Sequence, residues 1–245
     1  MKQTKEEYGS YTKSVVSDIP ADTTSEEYLF YQKTIPQFEG EAVYIYSFLQ
    51  NKMIYAKGWH NVLGYSDDEI SMLKIVSITS PQYAMFSNAI NDVALRFINS
   101  KTQSLEKYSF SIELQKTHAN GTLVPLISRV GVFKAQEGKV THIIGRSQVN
   151  HGLKFGRVMR YEAFGPLKEE FEAELSKSLF KHLSISNKEL EALQMVAQGK
   201  SFRQIAEELS VSHSAIEKRI LPLYKRFEVN SLSHLVSFAY ENHLI

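Results

Sequence analysis

The sequence predicts an α+β domain built on one five-stranded antiparallel sheet with helices, followed by an all-α domain of four short helices. Three observations carry that expectation. Five runs between Ala42 and Val149 alternate with a period of two and are separated by turn chemistry. From Ser184 to Ile245 the period becomes that of short helices. Three of the helix starts in that stretch open on a capping serine, at Ser186, Ser201 and Ser212.

Residues 1–40 read as a helical extension, in which Thr24-Ser25-Glu26-Glu27 opens a helix carrying Tyr28, Leu29 and Tyr31 that stops near Pro36 or Gly40. A sheet domain at 41–150 follows. Val43, Ile45 and Ser47 alternate with Tyr44, Tyr46 and Phe48 in a first strand, and Gln50-Asn51 turns into a second, Lys52 to Ala56. Short helical pieces cover Trp59 to Leu63 and Ser66 to Ile70, the latter with Ser66 and Glu69 spaced as a capping box. A longer helix covers Tyr83 to Ile98, with Phe86, Ile90, Val93, Ala94 and Phe97 on one face. Tyr108 to Gln115 is the third strand, and Asn120-Gly121 supplies the positive φ of a hairpin turn. The fourth strand is Leu123 to Ala135, its Pro125 marking an edge or a bulge. Gln136 to Lys139 then turns into the fifth, Val140 to Val149.

Residues 151–183 form a linker, irregular from His151-Gly152 to Gly165-Pro166 and then helical. Leu167, Phe171, Leu175 and Leu179 recur every four residues as one apolar stripe. That stripe packs on the sheet domain, on a second protomer or along its own chain, and the sequence leaves the three open. The last domain, 184–245, opens with a capping box, Ser186 with Glu189, inside a staple of Ile185 and Leu190. Ser201 and Gln204 repeat the box, and Val211, Ser212 and Ile216 repeat staple and cap. Only Ser210-Val211-Ser212 separates the middle pair of helices, so they must cross sharply. Such a helix-turn-helix presents one helix to a DNA groove.

Composition narrows the function. The net charge of +1 gives no global attraction to nucleic acid, so any contact depends on local clustering. The absence of cysteine excludes disulfides, thiol nucleophiles and cysteine-based zinc sites. No apolar run approaches the length of a membrane span, and the polar start Met1-Lys2-Gln3-Thr4-Lys5-Glu6-Glu7 has no signal-peptide core, so a cytoplasmic chain is expected. No phosphate-cradling loop, nucleophile–base pair, metal cluster or paired carboxylates stand out, so no enzyme is expected.

The C-terminal residues resemble the LuxR-type DNA-binding domain of bacterial transcription regulators. Ser186, Glu189, Glu191, Leu193, Ala197 and Gly199 match its first helix, and Ser201, Ile205, Ala206 and Leu209 its second. Leu223, Arg226, Phe227, Val229, Leu235, Ala239 and the final Leu244-Ile245 match the remainder, over about 60 residues without gaps. Ala215 and Arg219 replace the family's Thr and His, and Pro222 replaces its Asn. Proline inside a helix costs about 3 kcal/mol and pushes the preceding residue out of α geometry, so a kink near Leu221 is expected. The sheet domain more loosely resembles a PAS sensory domain over about residues 40–150, on Leu63-Gly64-Tyr65-Ser66-Asp67-Asp68-Glu69-Ile70, Asn120-Gly121-Thr122 and Gly138-Lys139-Val140. It departs at Ser147-Gln148-Val149 and at Ser77-Ile78-Thr79-Ser80-Pro81.

The LuxR resemblance implies a regulator that binds double-stranded DNA through its third C-terminal helix. Ile216, Ile220, Leu223 and Phe227 are spaced as the apolar back of that helix. Glu217 and Lys218 are candidates for base edges, with Ser212, Ser214, Leu221 and Lys225 on the same side. Lys200, Ser201, Arg219 and Arg226 are candidates for phosphate. From 213 to 227 four Lys/Arg face one Glu, a local surplus that a solvated helix face also shows. A homodimer is expected, because paired half-sites multiply the few contacts of one small domain. The PAS resemblance implies a sensor of a small molecule or partner. Trp59, Tyr55, Tyr65, Phe86, Phe97, Phe110 and Phe133 line a pocket or fill the core, core being the commoner use of such a set. The sequence identifies no ligand-binding residue and no cofactor, and the long helix holds no histidine for haem. His118 and His142 lack the partners of a metal site. A protein-docking module that no longer binds DNA is the competing reading of the C-terminal helices.

Overall fold

The computed structural model describes residues 9–153, 159–183, 185–227, 229–241 and 244–245, with the side chains of 178–183 and 241 left out. The chain divides into two compact units, the first reaching Leu179 and the second starting at Phe180. No helix among the described residues is long and apolar enough to cross a membrane.

The first unit is a six-stranded antiparallel sheet, order β2-β1-β5-β4-β3-β6. Its strands are β1 (Glu41–Ser47), β2 (Lys52–Lys57), β3 (Ser109–Thr117), β4 (Leu123–Gln136), β5 (Lys139–Val149) and β6 (Arg160–Phe164). The five expected strands are present, and part of the linker read as irregular adds the sixth. β6 pairs with β3 from Ser109↔Phe164 to Glu113↔Arg160. Its five residues carry only a weak alternation, with Ala163 as the buried member. Pro125 lies just outside the β4–β5 ladder, which begins at Leu126↔Val149, so its missing N–H breaks no bond there. Asn51, Glu137, Gly121 and Gly138 hold the positive φ values that the turns require.

Helices cover both faces. α2 (Glu26–Thr34) lies on one of them, capped by Ser25, whose hydroxyl accepts from the Tyr28 N–H. Tyr28 and Tyr31 pack on Tyr55, and Tyr31 also meets Phe133. The Tyr28 hydroxyl donates to the Ala56 carbonyl at 2.8 Å. The other face holds α3 (Trp59–Leu63), α4 (Met72–Ser77) and α5 (Pro81–Asn99). This double cover explains why every residue of β1 is buried although its sequence alternates. The capping box expected at Ser66 does not form: Asp67–Glu69 is one 3₁₀ turn without a side-chain cap. Asp67 turns back instead and accepts from the Trp59 N–H at 2.8 Å.

The linker helix α6 (Lys168–Leu183) belongs in part to this unit. Phe171 and Leu175 are fully buried, and Phe171 stacks on Phe97 with ring centroids 4.6 Å apart. The sheet domain thus takes the middle of the apolar stripe, while Leu167 stays exposed and the Leu179 side chain lies outside the described residues.

Within the expected helical extension lies a second, short helix whose bounds no cap signal marked, α1 (Ser10–Val15), docked on α5. Six residues cannot nucleate a helix in water, so its order comes from elsewhere. The Asp92 carboxylate receives the N–H groups of Gly9 at 3.1 Å and Thr12 at 2.8 Å, and the Thr12 hydroxyl at 2.6 Å. Arg96 sits 4.2 Å over the Tyr11 ring. Hydrogen bonds to a charged acceptor contribute about 1.5–3 kcal/mol each, so one carboxylate decides whether α1 stays docked. Replacing Asp92 with Ala is expected to abolish amide-exchange protection over residues 9–16 while β5 keeps its own. Unchanged exchange there would show that α1 is held by other contacts.

Candidate nucleic-acid interface and inner cavity

The second unit carries four helices, α7 (Asn187–Ala197), α8 (Phe202–Glu208), α9 (His213–Phe227) and α10 (Leu232–Glu241). Their ends are satisfied as the sequence suggested. Ser186 with Glu189 and Ser201 with Gln204 form complete capping boxes, and Ser212 accepts from the Ala215 N–H at 3.2 Å. α7 stops where Gly199 takes φ 85° and the N–H groups of Gly199 and Lys200 return to Val196 and Met195. α8 stops in the same way with Ser210 at φ 51°, its N–H and that of Val211 returning to Glu207 and Ala206. These two stops leave no room for a gradual bend between α8 and α9.

Ile216, Ile220 and Leu223 are fully buried and Phe227 nearly so, stacked on Phe238 at 4.9 Å. A side chain two positions away on a helix points to the opposite side. Ser214, Lys218, Leu221 and Lys225 therefore form the outward face, and all four are exposed. α9 continues unbroken through Pro222, and Leu221 is helical, contrary to the expected departure from α geometry. The proline lies on the exposed side, so the Lys218 carbonyl that loses its N–H partner is not shut away from solvent.

The candidate residues fall into two groups. Lys218 and Lys225 stand on the outward face without an ion pair among the described residues, and Ser212 and Ser214 flank the start of α9. Glu217 lies 3.7 Å from the His213 ring, one turn back on the same helix. The other three cations turn to carboxylates. Lys200 meets Glu208 at 2.6 Å, Arg219 meets Glu191 at 3.7 Å and Arg226 meets Glu189 at 3.2 Å. Arg219 and Arg226 thereby tie α9 to α7, and the Arg219 side chain is only 16% exposed. Ser201 spends its hydroxyl on the capping box of α8. Sequence reasoning missed these ties, although Glu189 and Glu191 lie two apart and Arg219 and Arg226 seven apart, each pair on one helix.

The first unit holds a partly open inner cavity of about 60 Å³ between the sheet and α1, α4 and α5. Its lining is mostly apolar, with Met72, Ile75, Phe110, Ile112, Leu114 and Ile143 among the walls. Of the aromatic set singled out in the sequence, Phe110 lines it; Trp59 and Tyr55 are core. Tyr44 lines it as well, and only a glycine at 145 admits that ring, because a Cβ there would stand 2.0 Å from it. Burial pushes the Tyr44 phenol far above its ordinary range. The polar lining includes Thr12, Ser87, Asn91, Lys116 and the pair Ser128 and Ser147, whose hydroxyls meet at 2.8 Å.

Residues 183–239 match the family described as bacterial regulatory proteins, luxR family. The transcriptional regulatory protein LiaR of Bacillus subtilis (strain 168) is 30% identical over 64 residues, which are 26% of this chain and 30% of that protein. The chain thus spans less than a third of the curated relative it matches. Among solved structures, a phage VqmA–DPO complex is 14% identical, covers 89% of this chain and 90% of its own and has a TM-score of 0.37. A PAS domain from Colwellia psychrerythraea is also 14% identical, covers 50% and 96%, and reaches 0.38.

The capping box of α7 doubles as an ion-pair site, which makes it pH-sensitive. Burial alone would raise the Glu189 carboxyl, but the Ser186 N–H, the Arg226 guanidinium and the Ser186 hydroxyl outweigh it and hold it below the usual range. A depressed carboxylate contributes stability above its unfolded value, about pH 4, that is lost as pH falls through the folded value. Ser186→Ala is expected to cost about 1 kcal/mol of C-terminal stability, and Glu189→Gln to flatten its loss in acid. Thermal unfolding between pH 7 and pH 3 checks both. Equal acid sensitivity in wild type and Glu189→Gln would place the titrating group elsewhere.

Proposed function

We propose that this chain, a LuxR-type DNA-binding regulator with a PAS-like sensory domain, binds duplex DNA as a homodimer through the outward face of α9 and answers to a small molecule held in its inner cavity. The carrying observation is the orientation of α9. Its apolar stripe is spent inside the helical unit, leaving Ser214, Lys218, Leu221 and Lys225 as one exposed row. A helix that enters the major groove needs such a row, with donors for base edges or phosphates and no partner that competes for them.

The ion pairs refine the assignment. Lys218 and Lys225 are the cations offered to DNA from α9, with Ser212 and Ser214 at its N-terminal end, where N–H groups and the helix dipole favour phosphate. Arg219 and Arg226 hold the helix at its angle, and Lys200 reaches phosphate only by leaving Glu208. Leu221, on the same face, suits a thymine methyl. Dimerisation follows from the size of the contact: two lysines and two serines release few counterions, and two half-sites double them.

Fluorescence anisotropy of the full chain on pooled genomic duplexes, at several salt concentrations, tests this reading. Binding that weakens linearly on a log–log salt plot supports it, and no binding at low salt contradicts it in favour of a protein-docking module. On a selected duplex, Lys218→Ala is expected to cost about 1–3 kcal/mol, roughly 5- to 150-fold, and to relax specificity at one position. Lys225→Ala, as a phosphate contact, should weaken all sequences alike and lower the salt slope by about 1. Identical effects of the two substitutions would deny them separate roles.

A further inference from the structure

Resting on the reading of the inner cavity as a ligand site, we propose that its ligand is a small apolar aldehyde and that Lys116 holds it covalently as an imine. Lys116 projects from β3 in the inward series of Phe110, Ile112 and Leu114, is 4% exposed and lines the cavity. A lysine inside an apolar wall is costly, and no carboxylate pairs with this one among the described residues. Its Nζ donates to the Ile75 carbonyl at 2.5 Å and to the Thr79 hydroxyl at 3.1 Å.

Two acceptors match a neutral amine, which carries two N–H groups and keeps a lone pair. An ammonium would bring a third N–H to a site that provides two acceptors. Burial agrees, pushing this lysine down to about 7, whereas an exposed one stays near 10.4. A structural tie between β3 and α4 needs no such group, since a neutral amide would serve without the desolvation. A desolvated lysine in an apolar pocket is an activated nucleophile for carbonyl carbon.

The step balances without an oxidant or reductant. The Nζ lone pair forms a bond to the aldehyde carbon while the carbonyl π pair moves to oxygen. Both amine protons then leave with that oxygen as water, and the C=N bond closes. A cavity of about 60 Å³ suits a compound of only a few heavy atoms. A neutral imine has no N–H, so capture breaks the bond to the Ile75 carbonyl in α4, while the Thr79 hydroxyl turns to donate to the imine nitrogen. Occupancy of the cavity would thereby reach a helix on the surface of the unit.

Butanal and butan-1-ol, of equal length, separate this inference from the reading beneath it. The full chain is incubated at pH 7 with one equivalent of butanal and cyanoborohydride, then mapped by peptide mass spectrometry. Free-amine fractions favour Lys116 over exposed lysines by about 10³, so a preference of at least about tenfold should survive slower entry. Lys116→Met, whose fold is checked by circular dichroism, should lose that label. Butan-1-ol binding, read from methyl chemical shifts of the lining residues, reports occupancy without an imine. Butanol bound with butanal scattered over other amines overturns the imine and leaves the ligand site standing. Neither compound entering the cavity overturns both.

Discussion

One contact governs the C-terminal unit: the apolar stripe of α9, Ile216 to Phe227, seated on the helices around it. Burying four large side chains on one side of a helix fixes its rotation, because turning it would expose them at about 1.5–3 kcal/mol each. Everything on the opposite side follows from that choice. Lys218 and Lys225 face outward because Ile216, Ile220 and Leu223 face inward, and not because the lysines are drawn anywhere. The ties of Arg219 to Glu191 and Arg226 to Glu189 hold the angle of α9 against α7, each joining a half-buried side chain to an opposite charge. The same rotation makes Pro222 tolerable, its missing donor lying on the wet side of the helix.

The first unit uses its sheet differently. β1 is covered on both faces, by α2 on one and by the helices around the cavity on the other, so no strand edge or face of it is left to water. Part of the polar lining of the cavity is paired locally: Ser128 with Ser147 across two strands, Lys116 with Ile75 and Thr79, and Thr12 with Asp92. Thr12 and Val16 line the cavity from the α1 side, so the carboxylate that orders α1 also closes that wall. Two devices built from single buried or half-buried ionisable side chains therefore shape the space.

What the sequence announced was what short-range chemistry decides. The capping boxes at Ser186 and Ser201, the cap at Ser212, the hairpin at Asn120-Gly121 and the inward series of β3 are local, and the structure contains each of them. What it hid depends on distant partners. α1 needs Asp92 about eighty residues away, and β6 needs the free edge of β3. The box at Ser66 is absent because the Glu69 N–H goes to the Ser66 carbonyl in a 3₁₀ turn rather than to its hydroxyl. In α9, residue type alone could not separate Lys218 from Arg219, since a single step of about 100° around the helix divides a solvent-facing cation from one tied to α7. Lys116 went unremarked because the expected third strand stops at Gln115, whereas β3 runs on to Thr117 and carries the inward series of Phe110, Ile112 and Leu114 one step further.

Lysine acetylation footprinting of the full chain, with and without a bound duplex, probes the orientation of α9 most directly. The account predicts that Lys218 and Lys225 react freely alone and become protected by DNA, while Lys101 and Lys134 in the sheet unit keep their reactivity. Protection confined to other lysines, with Lys218 and Lys225 still modified in the complex, would contradict it.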